Sequence, residues 1–283
     1  MISLVLLALT DAAEDRPTAR LASALAARYG AELDVLAVVG DGRSPARRED
    51  EVRGLLTELL PQGVAPHVRA LRGDPRDEFS RALGETSPDV LVIGGPAEAD
   101  GASRAKDMTA GPNEANRLVA ANPPCALLVA SRSSVDDRPC GPFERILCAV
   151  DLGDEPEDDP ASASATLDFS ARFTAREGAE LTVLHVARPE EDARRTAGVV
   201  AERLNVLCQG LPGAGRFALV AAHGDPADGI LANAETSKAD LIVLAPGAHP
   251  HADGVCARVL LGARPPVLLI GPAALASAGL GLL

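Results

Sequence analysis

Short apolar runs alternate with longer amphipathic stretches along the whole chain. The runs fall at 3–9, 32–39, 66–71, 89–94 and 125–130, and again at 145–150, 179–186, 216–222, 240–245 and 267–270. Stretches such as "SLVLLAL" (3–9) and "LIVLA" (241–245) are apolar on every or nearly every residue, which predicts strands buried on both faces. Strands of that kind need helices on both sides of a parallel sheet. Between them, "EDRPTARLASALAARYG" (14–30) carries its apolar residues on one face and closes on Gly30, a helix-ending residue. "DPRDEFSRALGET" (74–86) opens with Asp74 and Pro75 at the capping and first-turn positions of a helix.

The pattern is given twice. "GAELDVLAVV" (30–39) returns as "GAELTVLHVA" (178–187), with seven of ten positions identical. "RGDPRDEFSRALGETSPDVLVIGGP" (72–96) parallels "HGDPADGILANAETSKADLIVLAPG" (223–247) without a gap. "SLVLLALTD" (3–11) pairs with "RILCAVDLG" (145–153), and "PCALLVA" (124–130) with "PPVLLIG" (265–271). Four echoes in one order imply a duplicated domain. The Ser-, Pro- and charge-rich stretch 132–142 reads as a linker between domains at 1–131 and 143–283. Two doubly wound α/β domains, each with a five-stranded parallel sheet, are expected.

Composition narrows the function. The 283 residues are 47% hydrophobic, enough for substantial cores, but only 2% aromatic, with no Trp and one Tyr. Aromatic platforms for stacking bases are essentially lacking. A formal charge of -13 and the want of any basic run argue against nucleic acid and anionic membranes as partners. Five widely spaced cysteines without a CxxC pair point to reduced thiols and a cytoplasmic setting. "MISLVLLAL" lacks a basic start and meets Thr10 and Asp11 where a cleavage site would be, so it reads as a first strand rather than a signal peptide. No apolar run approaches the roughly 20 residues of a membrane span.

In a doubly wound sheet the ligand crevice lies at the carboxyl ends of the strands, where strand order reverses. Those ends hold Thr10, Asp11, Gly94 and Gly95 in the first copy, and Asp151, His223 to Asp225 and Ala245 to Gly247 in the second. Taken with "ILCAVD", "GAELTVLHV", "GDPADGILANAETSKADLIVLAP" and "RVLLGARPPVLLI", and with "NRLVAANPPCALLVA" in the first copy, the chain resembles the universal stress protein family in its tandem form. The resemblance implies Rossmann-like (HUP-type) domains of strand order 3-2-1-4-5, pairing of the two domains, and in one branch ATP binding. In that branch an Asp at the first-strand end contacts adenine, and a G-x2-G-x9-G-[ST] loop after the fourth strand holds the phosphates.

Asp151 matches the adenine-contacting position, but its copy lacks the phosphate loop: Ala245, Pro246, Gly247 and Ala248 replace the glycine run, and Pro250 has no N–H to offer. The first copy is the reverse. Thr10 stands where Asp151 does, with Asp11 next to it, while Gly101 and Gly111 keep the nine-residue spacing of the motif's tail. Glu98 and Pro112 replace its first glycine and its Ser or Thr. Two readings follow: a binding or regulatory protein of stress-response type without ATP in domain 2 and with no cofactor expected, or a nucleotide-binding protein taking ATP and Mg²⁺ in domain 1 through Thr10, Asp11, Gly94, Gly95, Gly101 and Gly111.

A third, remoter reading places a metal-dependent hydrolase at His249 and His251 with Asp151 or Asp154. The two histidines lack the local spacing of a zinc site. No nucleophile elbow or Walker loop is present, so enzymatic activity is not expected. Cys125 and Cys148 read as inert core thiols, Cys256 as a core-facing one, and His67 and His185 as structural histidines. Expected partners are the other domain, through fifth-strand edges about a pseudo-twofold axis, a second copy as a homodimer, and a protein partner of unknown identity.

Overall fold

The computed structural model describes residues 2–10, 15–60, 64–95, 124–130, 143–152, 160–187, 193–245 and 254–271. It divides into two compact units, Met1–Gly141 and Pro142–Leu283. The stretch read as a linker lies outside the described residues.

Unit 1 runs β1 (Leu4–Thr10), α1 (Asp15–Tyr29), β2 (Glu32–Val39), α2 (Pro45–Leu59), β3 (His67–Arg72), α3 (Pro75–Thr86), β4 (Val90–Gly94) and β5 (Ala126–Ala130). All neighbouring strands are parallel, in the order β3-β2-β1-β4-β5. Consecutive residues of β1 are buried because helices cover both faces: Val5, Leu6 and Leu7 are each 0% exposed. Gly30 ends α1 with φ at 63°, a left-handed turn that a glycine enters without strain.

Unit 2 runs β6 (Arg145–Ala149), α4 (Pro160–Glu177), β7 (Glu180–Ala187), α5 (Ala193–Cys208), β8 (Ala218–His223), α6 (Pro226–Thr236), β9 (Leu241–Leu244), α7 (Val255–Gly262) and β10 (Val267–Leu269). Its parallel order, β8-β7-β6-β9-β10, repeats that of unit 1. The apolar run expected to begin a strand at 216 begins it at Ala218, because Ala214–Arg216 close a 3-10 turn first. The fold is thus the Rossmann-like α/β architecture, given twice.

The amino ends of both sheets carry the same clasp. Asp89, just before β4, accepts hydrogen bonds from the Ser3 N–H (2.7 Å), the Ser3 hydroxyl (2.8 Å) and the Leu4 N–H (3.0 Å). Asp240, just before β9, accepts from the Glu144 N–H (2.8 Å) and the Arg145 N–H (3.0 Å). Each carboxylate ties the fourth strand of its unit to the start of the first, at the end of the sheet away from the crevice.

Candidate functional site

At the crevice of unit 1, Thr10 is the last residue of β1 and still pairs with Val38 on β2. Its carbonyl accepts a hydrogen bond at 3.3 Å from the guanidinium of Arg48, a buried residue of α2 that also lies 3.8 Å from Glu51. Gly94 ends β4 in register with Ala130, and the Gly95 N–H donates to the Ala130 carbonyl at 2.7 Å. A Cβ at residue 95 would stand 2.6 Å from that carbonyl oxygen, so the close approach of β5 already demands glycine there. Asp11, Gly101 and Gly111 lie outside the described residues.

Unit 2 handles its first-strand exit differently. The ladder between β6 and β7 ends at Ala149 with Leu184. Beyond it, Nδ1 of the buried His185 lies 3.1 Å from the Val150 carbonyl and 3.4 Å from the Leu152 N–H. One ring nitrogen cannot donate and accept together: with the proton on Nε2, Nδ1 accepts from Leu152, and with the proton on Nδ1 it donates to Val150. Arg203 of α5 donates to the Leu152 carbonyl. Val150 and Leu152 are buried while Asp151 between them is exposed, so the backbone on either side of the acid is held by side chains from β7 and α5. Sequence reasoning placed Asp151 and read His185 as structural, but missed Arg48 and Arg203. The one signal available was that His185 stands where the first copy has Ala37.

The shared Gly-Asp-Pro turn caps the helix after the third strand in each unit. Asp74 accepts from the Arg76 N–H at 2.9 Å and Asp225 from the Asp228 N–H at 3.1 Å, with Pro75 and Pro226 in the first turn. Asp225 has an added partner: Arg258 of α7 donates to it at 2.7 Å and to Asp228 at 3.0 Å. That guanidinium holds the Asp225 carboxyl below its ordinary range. The first cation after the His-Pro-His loop is therefore engaged with acids at the start of α6. His223 is exposed at the end of β8, whereas Asp154, His249 and His251 lie outside the described residues.

Burial pushes the Cys125 and Cys148 thiols up to about 12 and the Cys256 thiol up to about 11. At neutral pH all three are thiols, which are poor nucleophiles. Cys256 is half-buried and points its sulfur at the Ala245 carbonyl, 3.8 Å away. His185 is buried against backbone, but His67 is exposed at the surface, 3.5 Å from Asp34. Among the described residues no group of three or more His, Cys, Asp or Glu is placed to hold a metal ion, and no helix is long and apolar enough to cross a membrane.

Residues 142–271 match the model of the universal stress protein family. No curated protein matches the chain. Among solved structures, a universal stress protein from Archaeoglobus fulgidus DSM 4304 is similar at 17% identity and a TM-score of 0.60, over 93% of this chain and 95% of that one. A putative universal stress protein from Pseudomonas aeruginosa UCBPP-PA14 is similar at 17% identity and a TM-score of 0.67, over 98% and 96%. The cytoplasmic domain of a prokaryotic cation chloride cotransporter is also similar, at 13% identity and a TM-score of 0.52, over 98% and 100%. At these identities the likeness is one of fold, and a fold of this kind serves unrelated functions.

Proposed function

We propose that this chain, a universal stress protein through its residues 142–271, is a tandem binding or regulatory protein of stress-response type rather than an enzyme, and that its second unit does not hold ATP. The carrying observation is the first-strand exit of unit 2, where Asp151 is flanked by backbone tied to His185 and Arg203. Six carboxylates, Asp151 among them, and no Lys or Arg occur in the sequence 151–160, a charge that repels a triphosphate unless Mg²⁺ intervenes. Ala245, Pro246 and Ala248 follow β9 where a cradle needs glycine, and Arg258 is drawn to Asp225 and Asp228. The nine-residue spacing of Gly101 and Gly111 supports a second reading, a nucleotide in unit 1, although the Gly95 N–H there is already bonded to β5.

Native mass spectrometry of the purified chain, followed by thermal melts with ATP and Mg²⁺, tests this. The expected result is an unliganded mass and no shift, since a ligand selective for the folded state would raise the melting temperature. Saturable stabilisation lost on Asp151→Ala would overturn the reading for unit 2. Stabilisation lost instead on Gly101→Glu would establish the second reading.

A further inference from the structure

Aspartate followed directly by glycine occurs at 41–42, 100–101, 228–229 and 253–254. The pairs at 41–42 and 228–229 lie wholly within the described residues, and the fold treats them in opposite ways. Asp41 and Gly42 occupy the turn between β2 and α2, which the Arg43 N–H closes by donating to the Gly40 carbonyl at 3.2 Å. Both residues are exposed, and a Cβ at residue 42 would meet nothing within 4 Å. Among the described residues, neither the Asp41 carboxylate nor the Gly42 N–H has a hydrogen-bond partner.

Asp228 and Gly229 stand near the start of α6. There the Gly229 N–H donates to the Asp225 carbonyl at 2.9 Å, and the Asp228 carboxylate accepts from Arg258 at 3.0 Å. A Cβ at residue 229 would stand 2.8 Å from Val186. The nitrogen, the carboxylate and the space beside them are all taken.

We propose that Asp41 is a site of spontaneous covalent modification, conversion to isoaspartate, which the fold permits in the turn before α2 and prevents in α6. The Gly42 nitrogen attacks the side-chain carboxyl carbon of Asp41 in its acid form. An N–C bond forms, and the N–H hydrogen and the carboxyl hydroxyl leave together as water. Water then adds to the main-chain carbonyl carbon of the resulting succinimide and breaks the original peptide bond. The chain now runs through the Asp41 side chain, longer by one methylene group, and the former main-chain carbonyl is a carboxylate. One water leaves and one returns, so no other reactant is needed. Glycine favours the ring because no side chain shields its nitrogen and its backbone bends freely. A nitrogen already committed to a helix bond is withheld.

The change falls at the lip of the unit 1 crevice. Arg72 of β3 donates to the Arg43 carbonyl at 2.9 Å, and α2, which starts at Pro45, carries the Arg48 that bonds the Thr10 carbonyl. A methylene inserted before Arg43 shifts the first of these anchors and the start of the helix that carries the second. In the repeat, Pro189 and Glu190 stand where Asp41 and Gly42 do, so unit 2 has no counterpart.

Ageing the full chain in warm neutral buffer, both folded and unfolded in guanidinium chloride, tests the assignment. Peptide mapping with electron-transfer fragmentation separates isoaspartate from aspartate at each position. The expected result is isoaspartate at 41 but not at 228 in the folded chain, and at both in the unfolded one. Asp41→Glu abolishes the product at 41, and Gly42→Val, whose branched side chain shields the nitrogen, reduces it several-fold. In the aged folded chain the Arg43 amide exchanges faster than in fresh chain. A folded chain without isoaspartate at 41 would overturn the proposal, as would one that gains it as fast at 228. An unfolded chain that stays unmodified at 228 would show that sequence rather than fold protects that pair, and would also overturn it.

Discussion

The first strand of unit 1 stays paired for two residues longer than its counterpart in unit 2. Leu9 with Ala37 and Thr10 with Val38 continue the ladder in unit 1, whereas in unit 2 it ends at Ala149 with Leu184. The Val150 N–H still reaches the Leu184 carbonyl at 2.9 Å, and beyond it the repeat sets His185 where unit 1 has Ala37. A methyl group offers the strand nothing but its neighbour's backbone, while an imidazole supplies a competing partner for the Val150 carbonyl or the Leu152 N–H. Both exits are finished by an arginine from the helix that follows the second strand, Arg48 to Thr10 and Arg203 to Leu152. Duplication kept the scaffold and the task of securing the exit, while the residues that perform it diverged.

The largest effect expected from breaking this comparison comes from exchanging its key residue. Ala37 is fully buried, so Ala37→His overpacks unit 1 and buries an unmatched imidazole, costing about 3 kcal/mol in urea unfolding. His185→Ala costs less, about 1 to 2 kcal/mol, and speeds amide exchange at Leu152, whose N–H lies 3.4 Å from Nδ1. Unchanged exchange there would show that the exit is set by something other than the imidazole.

The clasps come next. Asp89→Ala and Asp240→Ala each remove the acceptor for at least two backbone N–H groups and cost about 2 kcal/mol, read as lowered urea midpoints. Acid should separate them. Burial raises the Asp89 carboxyl, but the hydrogen bonds from Ser3 and Leu4 outweigh it and leave the group below its ordinary 3.8. Burial dominates at Asp240, and despite the Glu144 and Arg145 N–H groups its carboxyl stays above 3.8. The contribution of Asp89 is therefore complete above pH 3.8 and is lost as pH falls through its lower folded value. At Asp240 the ionised form carries a penalty at neutral pH, relieved as pH falls through its raised folded value towards 3.8. Asp240→Asn should abolish that gain and Asp89→Asn that loss, in pH series of urea midpoints with exchange resolved by unit.

The smallest effect belongs to Arg258. Its bonds to Asp225 and Asp228 lie at the surface, where solvent screens them, so Arg258→Ala should lower the melting temperature slightly, and less at high salt than at low. Asp74 in unit 1 provides the baseline of a cap with no arginine bond among those described.

Much of the fold was legible because its causes are local. Short, mostly apolar runs marked the strands, and Asp74 with Pro75 marked the start of α3. β8 was misjudged at its start because apolar content does not reveal a 3-10 turn at 214–216. At the candidate site the residue types were visible but their duties were not. Gly95 looked like room for a phosphate, yet its N–H belongs to β5. His185 looked structural, and its contact with the first-strand exit became visible only when β6 and β7 lay side by side.

The sequence alone determined the duplication, the alternation of strands and helices, and the capping turns, because burial on two faces and a helix cap are each encoded within a few neighbouring residues. Only the tertiary structure decided which groups close the strand ends. Asp89 meets Ser3 across 86 positions, Asp240 meets Arg145 across 95, Arg203 meets Leu152 across 51 and Arg258 meets Asp225 across 33. Such partners are chosen by where folding brings the chain together, and no local pattern records that choice.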